Sequence, residues 1–176
     1  MSNLNNLSEL IKTRNEVDFQ ISAIVQRPAI IGHVGEYIAA EVFGISLEES
    51  ATNKSSDGFF KNGPLVDCTV NIKWYTKQTG ILDITPDSLP DFYLVLTGEH
   101  GTATTSRGKH LPWIIKKVFL FNSQHLVSQL QSRNVKIGVA TSVISSLWEE
   151  AEIFPNSQNR QLILSGEQRN KLGLFG

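Results

Sequence analysis

The chain has 176 residues, 40% of them hydrophobic and 19% charged, with a formal net charge of -1. That length suits one domain built on one core, since such domains run to roughly 100 to 200 residues. Near-neutrality excludes a whole-molecule field that would coat DNA or an anionic membrane, so nucleic-acid binding has to come from a local patch. Cys68 is the only cysteine, which excludes an internal disulfide or a cysteine-built zinc site and suits a reducing compartment. No apolar run approaches the roughly 20 residues of a bilayer span. The polar start Met1 to Asn6 lacks the basic flank and apolar stretch of a secretion signal. The expectation is a single cytoplasmic domain over residues 1–176, with no membrane association.

Leu7 to Val25 predicts an amphipathic helix with Val17, Ile21, Ile24 and Val25 inward. Pro28 opens a second helix over Ala29 to Phe43, with Ile31, Val34, Ile38 and Val42 on one stripe and Gly44 stopping it. The small polar residues from Ser46 to Ser56 read as a loop. Strand signals follow at Gly58 to Phe60, at Cys68 to Tyr75 and at Phe92 to Leu96, with an Asn62-Gly63 turn between the first two. Gly98 to His110 is the most loop-like stretch, and Trp113 to Phe121 reads as another strand. Ser123 is placed to cap a helix to about Arg133, closed by Asn134. A short strand over Val135 to Ala140 and a last helix from Ser142 to Ala151, burying Val143, Leu147 and Trp148, complete the pattern. After Pro155 the tail is polar apart from Leu162 to Leu164, and its closing residues read as mobile. This order predicts an α/β fold with a mixed central sheet flanked by helices.

Chemistry concentrates in three places. Strand alternation puts Val70, Ile72 and Trp74 on one face and Asn71, Lys73 and Tyr75 on the other, so an amide and an ammonium point the same way. Asp57 stands at the mouth of the preceding short strand, where strand pairing brings its carboxylate beside Asn71 and Lys73. Glu36 shares a helix surface with Gly32, Ala39 and Ala40, small residues that leave room for close packing or a ligand. Taken singly, Glu36 reads as a surface or capping residue, Asp57 before Gly58 as a turn residue and Lys73 as a solvated lysine. Asp67, Asp83, Asp87 and Asp91 read as turn or strand-edge residues, with Asp83 the one able to face the same cleft. Arg107, Lys109 and His110 form a basic loop cluster able to hold phosphates.

An acid on a leading helix, an aspartate at a strand, then a polar residue two before a lysine on the next strand resembles the PD-(D/E)XK nuclease superfamily. The residues are Gly35-Glu36-Tyr37, Ser56-Asp57-Gly58-Phe59, Val70-Asn71-Ile72-Lys73-Trp74-Tyr75 and Pro90-Asp91-Phe92-Tyr93-Leu94-Val95-Leu96. They look like an uncharacterised bacterial branch, and the likeness extends through Ser106-Arg107-Gly108 and Val135 to Ala140 to about Phe154. The resemblance implies a restriction-endonuclease-like core and DNA hydrolysis, of restriction or repair type. It also implies Mg²⁺ or Mn²⁺ held by Asp57, Asn71 and Glu36, with the Ile72 carbonyl completing the shell and Lys73 assisting the nucleophile or phosphate. Arg107 and Lys109 would bind the substrate, DNA is the expected partner, and a homodimer is open. Asn71 departs from the pattern, because an acid usually stands there and an amide brings no charge to the metal. A nuclease fold that has lost catalysis, serving as a DNA-binding or protein-interaction module, is therefore the alternative.

Other chemistries lack their signatures. Six residues separate Gly101 from Gly108 where a phosphate-binding loop needs four, and His110 replaces its Ser or Thr. A dinucleotide fingerprint is missing. His33, His100, His110 and His125 lack the i, i+4 spacing of a zinc helix, and nothing local supports Cys68 as a nucleophile. Trp74, Trp113 and Trp148 read as core rather than base-stacking platforms.

Overall fold

The computed structural model describes residues 2–48, 55–101 and 111–176. Two helices open the chain. Helix α1, Asn3–Val25, starts on a Ser2 cap whose hydroxyl accepts from the Asn5 amide. Helix α2, Ile31–Phe43, ends at Gly44, which takes up the left-handed conformation (φ 66°) that glycine adopts most easily. A six-stranded sheet follows in the spatial order β1-β2-β3-β5-β6-β8, built from β1 (Ile45–Leu47), β2 (Gly58–Phe60), β3 (Thr69–Gln78), β5 (Phe92–His100), β6 (Lys117–Asn122) and β8 (Glu152–Phe154). Strands β3 and β5 are parallel and the remaining pairs antiparallel. The chain is therefore α/β with a mixed sheet flanked by helices. A separate two-stranded ribbon pairs β4 (Ile81–Leu82) with β7 (Thr141–Ser142). Helices α3 (Ser123–Ser132), α4 (Ser145–Ala151) and α5 (Gly166–Gly173) complete the order. Among the described residues no helix is long and apolar enough to cross a membrane.

Two cores sandwich the sheet. Val70, Ile72, Trp74, Leu94, Leu96 and Leu120 pack against α2 and against Leu172 of α5. On the opposite face Tyr93, Val95, Phe119 and Phe121 pack against α3 and α4, with Trp148 meeting both phenylalanine rings edge-on at 4.7 and 4.9 Å. Strand β5 is buried on both faces, which is why its sequence is a continuous apolar run.

Several expectations need correction. Val17 and Ile24 are exposed, and Val25 is the only buried residue of α1. Strand β1 begins the stretch read as a loop, because Ile45 to Leu47 find a partner in Gly58 to Phe60. Strand β5 runs on to His100, and Lys117 rather than Trp113 begins β6. Trp113 is exposed, leaning on Trp74 at 6.0 Å. Asn122, not Ser123, caps α3, accepting from the His125 amide at 3.0 Å. Val135 to Ala140 forms no strand: the outer edge of β6 is taken by β8, Ala140 has a positive φ, and Val139 faces solvent. Helix α4 begins at Ser145 rather than Ser142. It is followed by α5, which Ser165 and Gln168 open with a reciprocal capping box and Leu172 anchors in the core.

Candidate functional site

The site grows from a mismatch in strand length. Strand β2 has three residues and β3 has ten, so β3 runs past its antiparallel neighbour and leaves edge amides to be satisfied. Asp57, one residue before β2, answers this: its amide donates to the Val70 carbonyl at 2.9 Å, and its Oδ2 accepts from the Ile72 amide at 2.6 Å. A carboxylate thus stands where a longer β2 would have supplied a carbonyl.

Register places the neighbours. Asn71 lies opposite Tyr93 and Lys73 opposite Val95, so both project from the face covered by α3 and α4. Ile72 lies opposite Leu94 and faces α2. Glu36 comes from the α2 side, where Gly35 lets the helix approach so closely that a Cβ there would sit 3.0 Å from Trp74 Cβ. Asp57 is at the sheet edge between the two sides and feels both. Burial pushes its carboxyl above the ordinary value and the Ile72 amide pulls it down; the Glu36 carboxylate pushes it up again, while Lys73 and Arg27 pull it down. Glu36, Asp57 and Lys73 therefore share one electrostatic environment at this edge.

Asn71 is buried, and its Oδ1 has no hydrogen-bond partner among the described residues. A buried acceptor without a donor is costly unless something not yet bound supplies the partner. Among the described residues Lys73 forms no ion pair, whereas Glu36 pairs with the Arg27 guanidinium. Arg27 sits in the connector between α1 and α2, and sequence reasoning missed it; no spacing rule links a connector residue to a helix position nine residues later. Glu48 was missed in the same way, and it lies near Asp57: its amide donates to the Asp57 carbonyl and its carboxylate accepts from Ser56 Oγ at 3.2 Å.

Two of the remaining aspartates have structural duties. Asp83 accepts from the Tyr75 hydroxyl at 3.3 Å and from the Ala140 amide at 2.7 Å, and burial raises the Tyr75 pKa. Asp91 Oδ2 accepts from both the amide and the hydroxyl of Thr69, at 2.7 and 2.8 Å. Arg107, Lys109 and His110 lie outside the described residues. A concavity of about 580 Å³ between α3, α4 and the segment after β8 is lined by none of the four candidate residues. It is not where the chemistry implied by the sequence would occur.

A divalent cation fits this edge on charge grounds. Glu36 and Asp57 are like charges close enough to repel, and a cation between them would relieve that repulsion. Among the described residues no three side chains of the His, Cys, Asp and Glu types converge on a metal position. No protein-family model and no curated protein matches the chain.

Proposed function

We propose that the chain is a divalent-metal-dependent nuclease that hydrolyses DNA phosphodiester bonds, of restriction or repair type, with a site of the PD-(D/E)XK kind. The observation that carries this reading is the half-buried Asp57 carboxylate at the sheet edge, acted on by Glu36 from one side and Lys73 from the other, beside the orphaned Asn71 oxygen. Mg²⁺ or Mn²⁺, when bound, supplies Lewis acidity and a hydroxide at neutral pH. Asp57 and Glu36 would hold the cation, and Asn71 stands where the superfamily pattern has a further acid. The Ile72 amide keeps the Asp57 carboxylate pointed along the edge. Lys73, unpaired among the described residues, faces the charge that develops on the phosphate. The setting that goes with a DNA substrate is cytoplasmic.

The test is cleavage of plasmid and oligonucleotide DNA with Mg²⁺ or Mn²⁺. Asp57→Ala abolishes the activity, and Lys73→Ala lowers it by about 100-fold or more, the usual cost of losing one preorganised charge. Cleavage unchanged in both variants removes the assignment.

The Arg27–Glu36 pair favours a second reading. An acid already neutralised by an internal cation, next to an amide where the nuclease pattern has an acid, is what a binding module that had given up catalysis would retain. Thermal shift with Mn²⁺ separates the two, because a competent site gains stability from the ion and the module does not.

A further inference from the structure

Helix α1 is 23 residues long, yet among the described residues only its last turns touch the body of the protein. Leu7, Leu10, Val17 and Ile24 are 52%, 67%, 48% and 62% exposed. A projecting helix is marginal in water unless a partner covers its apolar surface, and these four residues share one line, with Leu4, Ile11 and Phe19 exposed beside it. Leu7, Leu10, Arg14, Val17, Ile21 and Ile24 follow one another at steps of three, four, three, four and three. That is a heptad seam with one charged layer, the pattern by which two helices wind about each other. Ile21 is half-buried, so the seam runs beside the line of contact with α2 rather than under it.

We propose that α1 is a dimerisation helix whose seam pairs antiparallel with the same seam of a second copy of this chain. The occupant follows from the residues. In a two-fold antiparallel pairing Leu7 faces Ile24 of the second copy and Leu10 faces Ile21, which makes four apolar layers, while Arg14 faces Val17 in the two central ones. The charged layer decides the direction. A parallel pair would stack Arg14 on Arg14, a like-charge layer, whereas the antiparallel pair sets each Arg14 beside Asp18 of the other copy, one residue or roughly 1.5 Å of rise from the facing position. Within one chain Arg14 already pairs with Asp18 at 3.4 Å, so the same two side chains can exchange partners across the axis. From Leu7 to Ile24 the seam is roughly 27 Å long, enough for six layers. This inference rests on α1 alone and stands whether or not the edge around Asp57 cleaves DNA.

Light scattering on the eluting full chain gives a mass about twice the 19.5 kDa of one copy. Leu10→Glu combined with Val17→Glu returns it to a single copy. Both positions are exposed, so the variant keeps a cooperative urea transition, and a folding failure is told apart from lost association. In a Cys68→Ser background, Leu7→Cys mixed with Ile24→Cys gives a disulfide-linked dimer under mild oxidation, and Leu7→Cys alone does not. A wild-type chain of single mass at high micromolar concentration, a double-glutamate variant that stays dimeric, or self-linking of Leu7→Cys would each overturn the proposal.

Discussion

Replacing Asp57 by Asn removes a charge but keeps an acceptor for the Ile72 amide, whereas Asp57→Ala removes both. In the folded chain burial, and then Glu36, hold the Asp57 carboxyl above its ordinary value of 3.8, outweighing the Ile72 hydrogen bond and the two cations. A carboxyl raised in this way binds its proton more tightly in the folded state than in the unfolded one. Stability is therefore lost as pH climbs from the unfolded value through the folded one, and none of that loss exists in more acid solution. Asparagine does not titrate, so Asp57→Asn should be at least as stable as the wild type at pH 8 and should flatten the decline that sets in above about pH 4. Asp57→Ala leaves the Ile72 amide without its 2.6 Å acceptor, which costs about 1 to 3 kcal/mol relative to Asp57→Asn. Urea unfolding of the three proteins at several pH values reads these differences, and both variants should be inactive in the cleavage assay. An Asp57→Asn protein less stable than wild type at pH 8, with Asp57→Ala its equal, would refute the reasoning.

Other perturbations test the frame. At Gly98 a Cβ would lie 2.1 Å from the Thr76 carbonyl oxygen, so Gly98→Ala should lower stability by about 1 to 3 kcal/mol or more in urea melts. Gly32→Ala, on an open face of α2, should instead raise it by roughly 0.5 kcal/mol, the helix-propensity gain alone. Leu172→Ala should cost about 2 to 5 kcal/mol, which a shift in the thermal midpoint would show; an unchanged midpoint would mean that α5 does not belong to the core.

Elements whose own residues carry the period were legible in the sequence. Helix α2, strand β3 with its two faces, and the doubly buried β5 follow from alternation and apolar runs. Among the strands of two or three residues β2 was legible, while β1, β4, β7 and β8 were not, because their existence depends on a distant partner rather than on a pattern of their own. The alternation of Val135, Ile137 and Val139 misled for the same reason: a strand signal without a free edge to pair with stays irregular. Helix α5 was readable from Ser165 and Gln168, whose spacing marks a capping box, but its polar composition hid it. At the candidate site the order of Glu36, Asp57, Asn71 and Lys73 was visible. Arg27 and the Asp57–Ile72 hydrogen bond were not, since they arise only once α2 crosses β3.

The clasp between Thr69 and Asp91 has a consequence for everything downstream on β3. These two residues stand just where the parallel strands β3 and β5 begin, and three hydrogen bonds lock them together: the amide and the hydroxyl of Thr69 donate to Asp91 Oδ2, and the Asp91 amide donates to Thr69 Oγ1. A parallel pair with a long connection has no tight turn to count its residues, so this polar clip serves as the zero mark of the ruler. A slip of one notch would swap the contents of the two faces, sending Ile72 toward α3 and Lys73 into the packing under α2. The aspartate that sequence reading assigned to a mere strand edge thus determines which way the lysine points.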